Sequence, residues 1–179
     1  MSRRVRVGAL AVAAVIVVLG VVLALNVENA PTDEGGWVGR PAPSFAVETL
    51  DGERITAADL RGRVVLINFW NTWCIPCIEE APALKKLHAA YGDDPGFVML
   101  GIVRDEPGGE SLVRRYVADE GVGWTIAMDD DLKASLAWGV TGQPETYVIA
   151  PDGTVASELR GAATFEHLEQ MLAAAEGVA

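Results

Sequence analysis

Apolar residues follow two patterns along residues 37–179, short unbroken runs and longer stretches with helical spacing. The runs VVLINFW (64–70) and FVMLGIV (97–103) predict strands that are buried on both faces of a sheet. In residues 75–91 the apolar positions recur every three or four residues, which predicts a helix. Further helices are predicted for residues 109–121, 131–139 and 164–176, the last one capped by Thr164.

Turn signals place shorter elements between these. Residues 44–62 predict a hairpin that turns at Asp51-Gly52, followed by a helical turn that Thr56 caps. Residues 124–129 predict a short strand, and residues 146–161 predict two strands joined by a type I′ or similar turn at Asp152-Gly153. The main elements then run β-α-β-α-β-α-β-β-α, an order that predicts a central sheet with helices on both faces.

The N-terminal segment has a different pattern. Residues 7–25 are apolar and uncharged, and three arginines precede them. A helix of this length comes close to spanning the roughly 30 Å core of a bilayer, and the arginines favour a cytoplasmic N-terminus. A cleaved signal peptide is the alternative, but its apolar region usually has about 7 to 15 residues and ends in a small-x-small site. We expect a cytoplasmic tail (1–6), a transmembrane anchor (7–25), a linker (26–36) and one extracytoplasmic domain (37–179) in the cell membrane.

Charge narrows the choice of partners. The chain has 14 basic and 25 acidic residues, and without the three N-terminal arginines the balance is 11 against 25. A strongly acidic domain is a poor match for nucleic acid or for anionic lipid. A basic protein partner is compatible with this balance, and so is a simple role in solubility.

The chain has two cysteines, Cys74 and Cys77, at the start of the first predicted helix. Unpaired N–H groups at a helix N-terminus stabilise a thiolate, so the pKa of Cys74 should fall and its sulfur should be nucleophilic. Cys77, one turn later, is placed to attack a mixed disulfide formed at Cys74. Pro76 is tolerated in the first turn because its missing N–H has no role there. The pair therefore favours thiol-disulfide exchange.

Two other uses of the cysteines are weaker. A structural disulfide across such a short loop would remove little entropy from the unfolded chain. A zinc site needs further ligands, and the two histidines, His88 and His167, are 79 positions apart. We therefore expect no metal.

Two segments carry a family resemblance. The stretch VVLINFWNTWCIPCIEEAP resembles the strand–WCxxC–helix unit of thioredoxins, and GVTGQPETYVIAPDGTV resembles their cis-proline strand. With the opening GRPAPSFAVETLDGE, the chain is similar over residues 37–176 to the membrane-anchored, extracytoplasmic TlpA, ResA and CcmG (DsbE) group. The resemblance implies a thioredoxin-like α/β fold with a central mixed sheet flanked by helices and preceded by one transmembrane helix.

The resemblance also implies roles for particular residues. Pro144 should follow a cis peptide bond beside the cysteines, and the backbone of Gln143 should pair with a client peptide as an added strand. Trp73 should cover the reactive sulfur. The residues between the cysteines, Ile75 and Pro76, form the active-site loop and carry no charge, whereas strongly oxidising relatives have a histidine there. That difference favours a reductant.

Asn68 matches the position at which cytosolic thioredoxins have a buried aspartate, so it cannot accept a proton from Cys77. Two glutamates match acidic positions of the exported group: Glu80, three residues after Cys77, and Glu145, next to Pro144. A carboxylate near a thiol raises the pKa of the thiol and can relay a proton. Solvated helix charge is the alternative explanation for Glu80.

The implied function is reduction of the disulfide in apocytochrome c haem-binding motifs, with no cofactor beyond the Cys74–Cys77 pair. The implied electron donor is a membrane protein of the CcdA or DsbD type. One alternative is an oxidase or isomerase that introduces disulfides into exported proteins. A peroxidase is less consistent with the sequence, because peroxidases of this fold class have a threonine followed by a cysteine in the active site, whereas this chain has a tryptophan before CxxC. A tethered chaperone or docking module without redox chemistry is the alternative from another class.

Overall fold

A mixed sheet is the centre of the fold in the computed structural model, which describes residues 36–176. The strands of this part are β1 (Ala46–Thr49), β2 (Arg54–Thr56), β3 (Val64–Trp70), β4 (Phe97–Arg104), β5 (Thr125–Asp129), β6 (Glu145–Ile149) and β7 (Val155–Arg160). The helices are α1 (Ile75–Tyr91), α2 (Gly109–Glu120), α3 (Lys133–Trp138) and α4 (Phe165–Glu176), and a 3₁₀ turn covers Ala57–Leu60.

The strand order in the sheet is β2-β1-β5-β4-β3-β6-β7. The three central strands β3, β4 and β5 are parallel, whereas β6 runs antiparallel to β3 and β1 runs antiparallel to β5. The parallel strands β3 and β4 end level with each other, since Trp70 pairs with Val103. This register brings the loops after β3 and after β4 to one edge of the sheet.

Side chains of β3 alternate between two cores. Val65, Ile67 and Phe69 face one core with Trp138 of α3, and Leu66 faces the other core with α1 and α4. A third cluster forms where Trp70 meets Val103 and Val113 of α2. Helices therefore cover both faces of the sheet, as the order of elements predicts. Asn68 lies on the same face as Leu66, beneath α1, because side chains in a strand alternate.

Most of the predicted elements agree with the structure to within one or two residues. Helix α3 is shorter than predicted, because Leu132 has a left-handed backbone (φ 57°) and Gly139 ends the helix with φ 65°. The turn between β6 and β7 is not type I′, which requires a positive φ at both central residues. Of its two residues only Gly153 has one (φ 85°).

The predicted anchor at residues 7–25 lies outside the described residues, as do most of the linker and the tail. Among residues 36–176, none of the helices is both long and apolar enough to cross a membrane. The domain boundaries therefore stay predictions.

Candidate redox site

The two cysteines form a disulfide at the start of α1. Cys74 is the N-cap of the helix, and its Sγ accepts a hydrogen bond from the backbone N–H of Cys77 over 3.3 Å. Both side chains are buried, with 4% and 5% of their surfaces exposed. Strand β3 delivers the chain to this point, and Pro76 lies in the first turn, where it costs no hydrogen bond. The helix N-terminus thus directs an N–H group at the sulfur that the sequence assigns as nucleophile.

The loop before β6 lies beside this disulfide. Phe69 pairs with Glu145 across the antiparallel β3–β6 ladder, so the residues preceding Glu145 continue past the end of β3. The peptide bond between Gln143 and Pro144 is cis. The carbonyl oxygen of Gln143 lies 3.6 Å from Cys74 Sγ. The structure therefore brings together the cysteine pair and the two residues of the predicted cis-proline strand.

Three apolar residues next to the cysteines in the sequence are exposed. Trp73 and Ile75 are 56% and 68% exposed, and Ile78 of the following turn is 46% exposed. Large apolar side chains on a surface are informative when they are clustered, because such patches mark sites of protein interaction. Trp73 is thus available to a client, and its predicted role in covering the reactive sulfur stays a prediction.

The side chain of Glu80 lies on the buried face of α1, so it is not a solvated helix charge. Its side chain is 1% exposed; Oε1 accepts a hydrogen bond from Asn68 Nδ2 over 2.8 Å, and Oε2 accepts one from the N–H of Ala163 over 3.0 Å. Burial raises the pKa of Glu80 from 4.5 to about 7, against the opposing effect of the two hydrogen bonds. Glu80 lies three residues after Cys77, a spacing that makes two side chains neighbours on a helix.

Glu145 is also buried, and its carboxylate contacts the cis-proline loop, Tyr147 of β6 and, over 3.9 Å, Arg160 of β7. Oε1 accepts hydrogen bonds from the N–H groups of Thr141 (2.9 Å) and Gly142 (3.0 Å), and Oε2 accepts one from the Tyr147 hydroxyl over 2.6 Å. Burial, followed by the hydrogen bond to Glu145, raises the pKa of Tyr147, so the phenol stays protonated and donates. These contacts fix the shape of the loop that carries Gln143 and Pro144.

Sequence reasoning missed three residues at the site: Asn71, Arg104 and Glu106. The side chain of Asn71 donates to the carbonyl oxygen of Arg104 over 2.6 Å, and the buried carboxylate of Glu106 accepts from the N–H of Thr72 over 3.0 Å. The signal that could have revealed them is the parallel pairing of β3 and β4. Polar residues just after two such neighbouring strands meet at one edge of the sheet.

The cleft behind the disulfide is small. A cavity of about 20 Å³, bordered by Cys77, Asn68 and Trp70, lies between the sheet and α1. Sites for small organic ligands usually have about 300 to 1,000 Å³. A larger cleft of about 480 Å³ is lined by residues of β1 and the acidic run Asp129–Asp131, away from the cysteines. The geometry at the disulfide therefore suits a segment of another protein better than a small metabolite.

Comparison with known proteins agrees with this geometry. Residues 38–158 match the AhpC/TSA family. The chain is 34% identical over 135 residues to the thiol-disulfide oxidoreductase ResA of Bacillus thuringiensis. The aligned region covers 75% of this chain and 76% of that protein.

Solved structures give the same result. A thiol:disulfide interchange protein from Chlorobium tepidum is 28% identical, with a TM-score of 0.65 over 75% of this chain and 94% of that one. A secreted disulfide oxidoreductase of Mycobacterium tuberculosis, homologous to DsbE, is 26% identical, with a TM-score of 0.63 over 73% and 95%. The chain therefore belongs to the AhpC/TSA family of thioredoxin-like proteins, in the group of ResA- and DsbE-like thiol-disulfide oxidoreductases.

Proposed function

We propose that this thiol-disulfide oxidoreductase works outside the cytoplasm as a reductant, and that its client is the disulfide of an apocytochrome c haem-binding motif. The observation that carries the chemistry is the Cys74–Cys77 disulfide at a helix N-terminus, next to the cis Gln143–Pro144 bond. The exposed Trp73 and Ile75 supply an apolar surface for a client segment.

The first step uses the reduced protein. The Cys74 thiolate attacks one sulfur of the client disulfide, a Cys74–client bond forms, and the client S–S bond breaks. The other client sulfur leaves as a thiolate and takes up a proton. The N–H of Cys77, which lies 3.3 Å from Cys74 Sγ in the oxidised protein, stabilises the attacking thiolate. A client backbone that pairs with Gln143 would lie along the loop whose carbonyl oxygen is 3.6 Å from this sulfur.

The second step resolves the mixed disulfide. Cys77 loses its proton and attacks Cys74 Sγ, the Cys74–Cys77 bond forms, and the Cys74–client bond breaks. The second client sulfur leaves as a thiolate and takes up a proton from solvent. The client gains two electrons and two protons, and the protein is left oxidised. We assign the proton acceptor to Glu80, because its carboxyl, with a pKa of about 7, exchanges protons readily at neutral pH. Glu145 acts on the cis-proline loop through Thr141 and Gly142.

The direction of electron flow rests on residue types at the site. Ile75 and Pro76 bring no positive charge to the Cys74 thiolate, which leaves the reduced form less stabilised and favours a reductant. Hydrogen bonding by the N–H of Cys77 has the opposite effect, since it favours the thiolate. That contact supports the second candidate function, an oxidase or isomerase that introduces disulfides into exported proteins.

The proposed location rests on the sequence pattern of the N-terminal segment, and the proposed electron donor rests on the family resemblance. We propose that residues 7–25 anchor the chain in the cell membrane, with the domain on the extracytoplasmic side. No soluble thiol pool is assured there, so the oxidised pair needs a membrane dithiol donor of the CcdA or DsbD type. Each reaction with that donor restores both thiols and oxidises the donor.

A peptide assay tests the function. The fully reduced full-length protein is mixed with a disulfide-bonded peptide that contains a Cys-x-x-Cys-His motif, and the free peptide thiols are measured with time. We expect one peptide disulfide to be reduced per protein, and faster than in a control peptide in which the two cysteines are further apart. Equal rates for both peptides would contradict the proposed client.

Replacing both cysteines by serine separates redox chemistry from docking. The Cys74→Ser/Cys77→Ser protein should reduce no peptide, because no electron source remains. It should also fail to support cytochrome c maturation in a cell that lacks the wild-type protein. Full maturation with this variant would instead identify a docking module.

A further inference from the structure

The junction between β4 and α2 (residues 104–106) contacts both loops of the redox site, the loop between β3 and Cys74 and the cis-proline loop. On one side, Asn71 Nδ2 donates to the carbonyl oxygen of Arg104 (2.6 Å) and to Glu106 Oε2 (3.2 Å). The same Glu106 oxygen accepts from the N–H of Thr72 over 3.0 Å. Glu106 is 6% exposed, so these charge-assisted hydrogen bonds are largely shielded from solvent. The junction therefore holds the segment that leads into Cys74.

On the other side, the guanidinium of Arg104 reaches the cis-proline loop. Its NH1 group donates to Gln143 Oε1 over 3.0 Å, and its Nε donates to Ser135 Oγ over 3.0 Å. Ser135 Oγ in turn donates to the buried carboxylate of Asp129 over 2.6 Å. Ser135 of α3, itself hydrogen-bonded to the buried carboxylate of Asp129, therefore fixes the guanidinium of Arg104. The guanidinium in turn fixes the side chain of Gln143.

The shape of the guanidinium suits this task. Its planar group presents several N–H donors in a rigid arrangement, whereas a lysine ammonium is one compact charge on a flexible stem. Two donors at a fixed angle can hold Ser135 and Gln143 at once. Between Arg104 and Glu106 the backbone of Asp105 is left-handed (φ 36°), an uncommon conformation for a residue with a side chain.

We propose that Arg104 is a positioning residue for the client strand: it orients Gln143, while its carbonyl oxygen and Glu106 hold the loop before Cys74. The junction thereby sets where the client backbone lies relative to the attacking sulfur. This inference rests on the proposed pairing of a client with Gln143. Displacement of reacting groups by about 1 Å can cost two orders of magnitude in rate, so loss of this support should slow reaction with a peptide.

The test compares two disulfide probes with the reduced full-length protein. One is the disulfide-bonded peptide described above, which needs the strand pairing, and the other is 2,2′-dithiodipyridine, a small neutral disulfide that does not. For Arg104→Met we expect the peptide rate constant to fall about tenfold, while the rate constant for the small disulfide changes less than twofold. Arg115→Met is the matched control, because Arg115 is exposed on α2 and carries the same charge.

A double-mutant cycle shows whether the effect passes through Gln143. In a Gln143→Ala background the Arg104→Met change should alter the peptide rate less than twofold, because the acceptor is already gone. The cycle is repeated with Arg104→Lys, which keeps the charge and should give a smaller loss, so a poorly folding methionine variant does not decide the result.

Three outcomes would overturn the proposal: Arg104 variants as fast as Arg115→Met with the peptide, an equal loss with both probes, or an undiminished effect in the Gln143→Ala background. The proposed client is judged separately, by whether the wild-type protein prefers the haem-motif peptide to the control peptide. If it does not, the Arg104 test is still read from whichever peptide the wild-type protein reduces.

Discussion

The buried carboxyl of Glu80 should make the stability of the oxidised protein depend on pH. In the folded protein burial raises its pKa to about 7, against 4.5 for an ordinary glutamate. Between these two pH values the folded state binds more protons at this carboxyl than the unfolded state does. The free energy of unfolding must therefore fall as the pH rises through this window.

The size of the effect follows from the shift. One pKa unit corresponds to about 1.4 kcal/mol, so the rise from 4.5 to about 7 corresponds to about 3 kcal/mol between pH 4 and pH 8. The Glu80 side chain is 1% exposed, so solvent does little to screen this contribution. Glu80→Gln removes the titration. It also places an amide NH₂ group against one of the two donors that Glu80 accepts from, a cost of about 1 to 3 kcal/mol that does not depend on pH.

Urea unfolding of the oxidised full-length protein measures this effect at several pH values, under identical buffer conditions for each variant. We expect the stability advantage of wild type over Glu80→Gln to shrink by about 3 kcal/mol from pH 4 to pH 8. Glu79→Gln removes the same charge from an exposed position on the same helix and is the control. A difference between wild type and Glu80→Gln that is constant with pH, or that grows as the pH rises, would refute the assignment of a raised pKa.

Three further predictions concern the reaction and the fold. Cys77→Ser should accumulate a mixed disulfide between Cys74 and a client peptide, visible by mass spectrometry, and a variant that releases the peptide at the wild-type rate would show that Cys77 does not resolve it. Tyr147→Phe should lower the free energy of unfolding by about 1 to 3 kcal/mol, because Glu145 Oε2 loses its 2.6 Å hydrogen bond, and unchanged urea unfolding would contradict this. Gly101→Ala should lower the free energy of unfolding in urea by about 1 to 3 kcal/mol, since the added Cβ would lie 2.6 Å from Ile126 Cδ1 and 2.9 Å from Trp70 Nε1. A variant at least as stable as wild type would show that the sheet has room there.

The pattern of apolar residues was sufficient to predict the strands and helices that carry the site. β3 is apolar except for Asn68, and the residues of α1 that face the sheet recur with helical spacing, so both elements could be located from the sequence. The positions of Cys74 and Pro144 at the ends of such elements followed from the same pattern and from the family resemblance. The structure confirms the cis peptide bond and the helix N-terminus at these positions.

Side-chain partners far apart in the sequence could not be predicted in this way. The environment of Glu80 depends on Ala163, which is 83 positions away and meets Glu80 only because α4 packs near α1. Glu145 was placed beside the cysteines by sequence position, yet its carboxylate contacts Thr141, Gly142 and Tyr147. The direction of such a side chain depends on pairing and packing that periodicity does not contain.

Arg104 and Glu106 are a third case. Arg104 is the last residue of β4 and Glu106 lies in the polar connection after it, where no apolar period constrains the chain, and their partners come from two other loops and from α3. The register that pairs Trp70 with Val103 is what brings Asn71 next to Arg104. The parallel pairing of β3 and β4 could have placed this junction at the edge of the sheet, but its contact with Gln143 depends on β6 lying beside β3.

The reduction potential of the Cys74–Cys77 pair tests the central claim most directly. The full-length protein is equilibrated with glutathione and dithiothreitol buffers of known potential, and the thiolate pKa of Cys74 is measured in the same samples. A reductant requires a potential near or below that of thioredoxin, about −270 mV, and this is the predicted result. A value near that of the strong oxidant DsbA, about −120 mV, with a strongly lowered Cys74 pKa, would contradict it and identify a protein that makes disulfides.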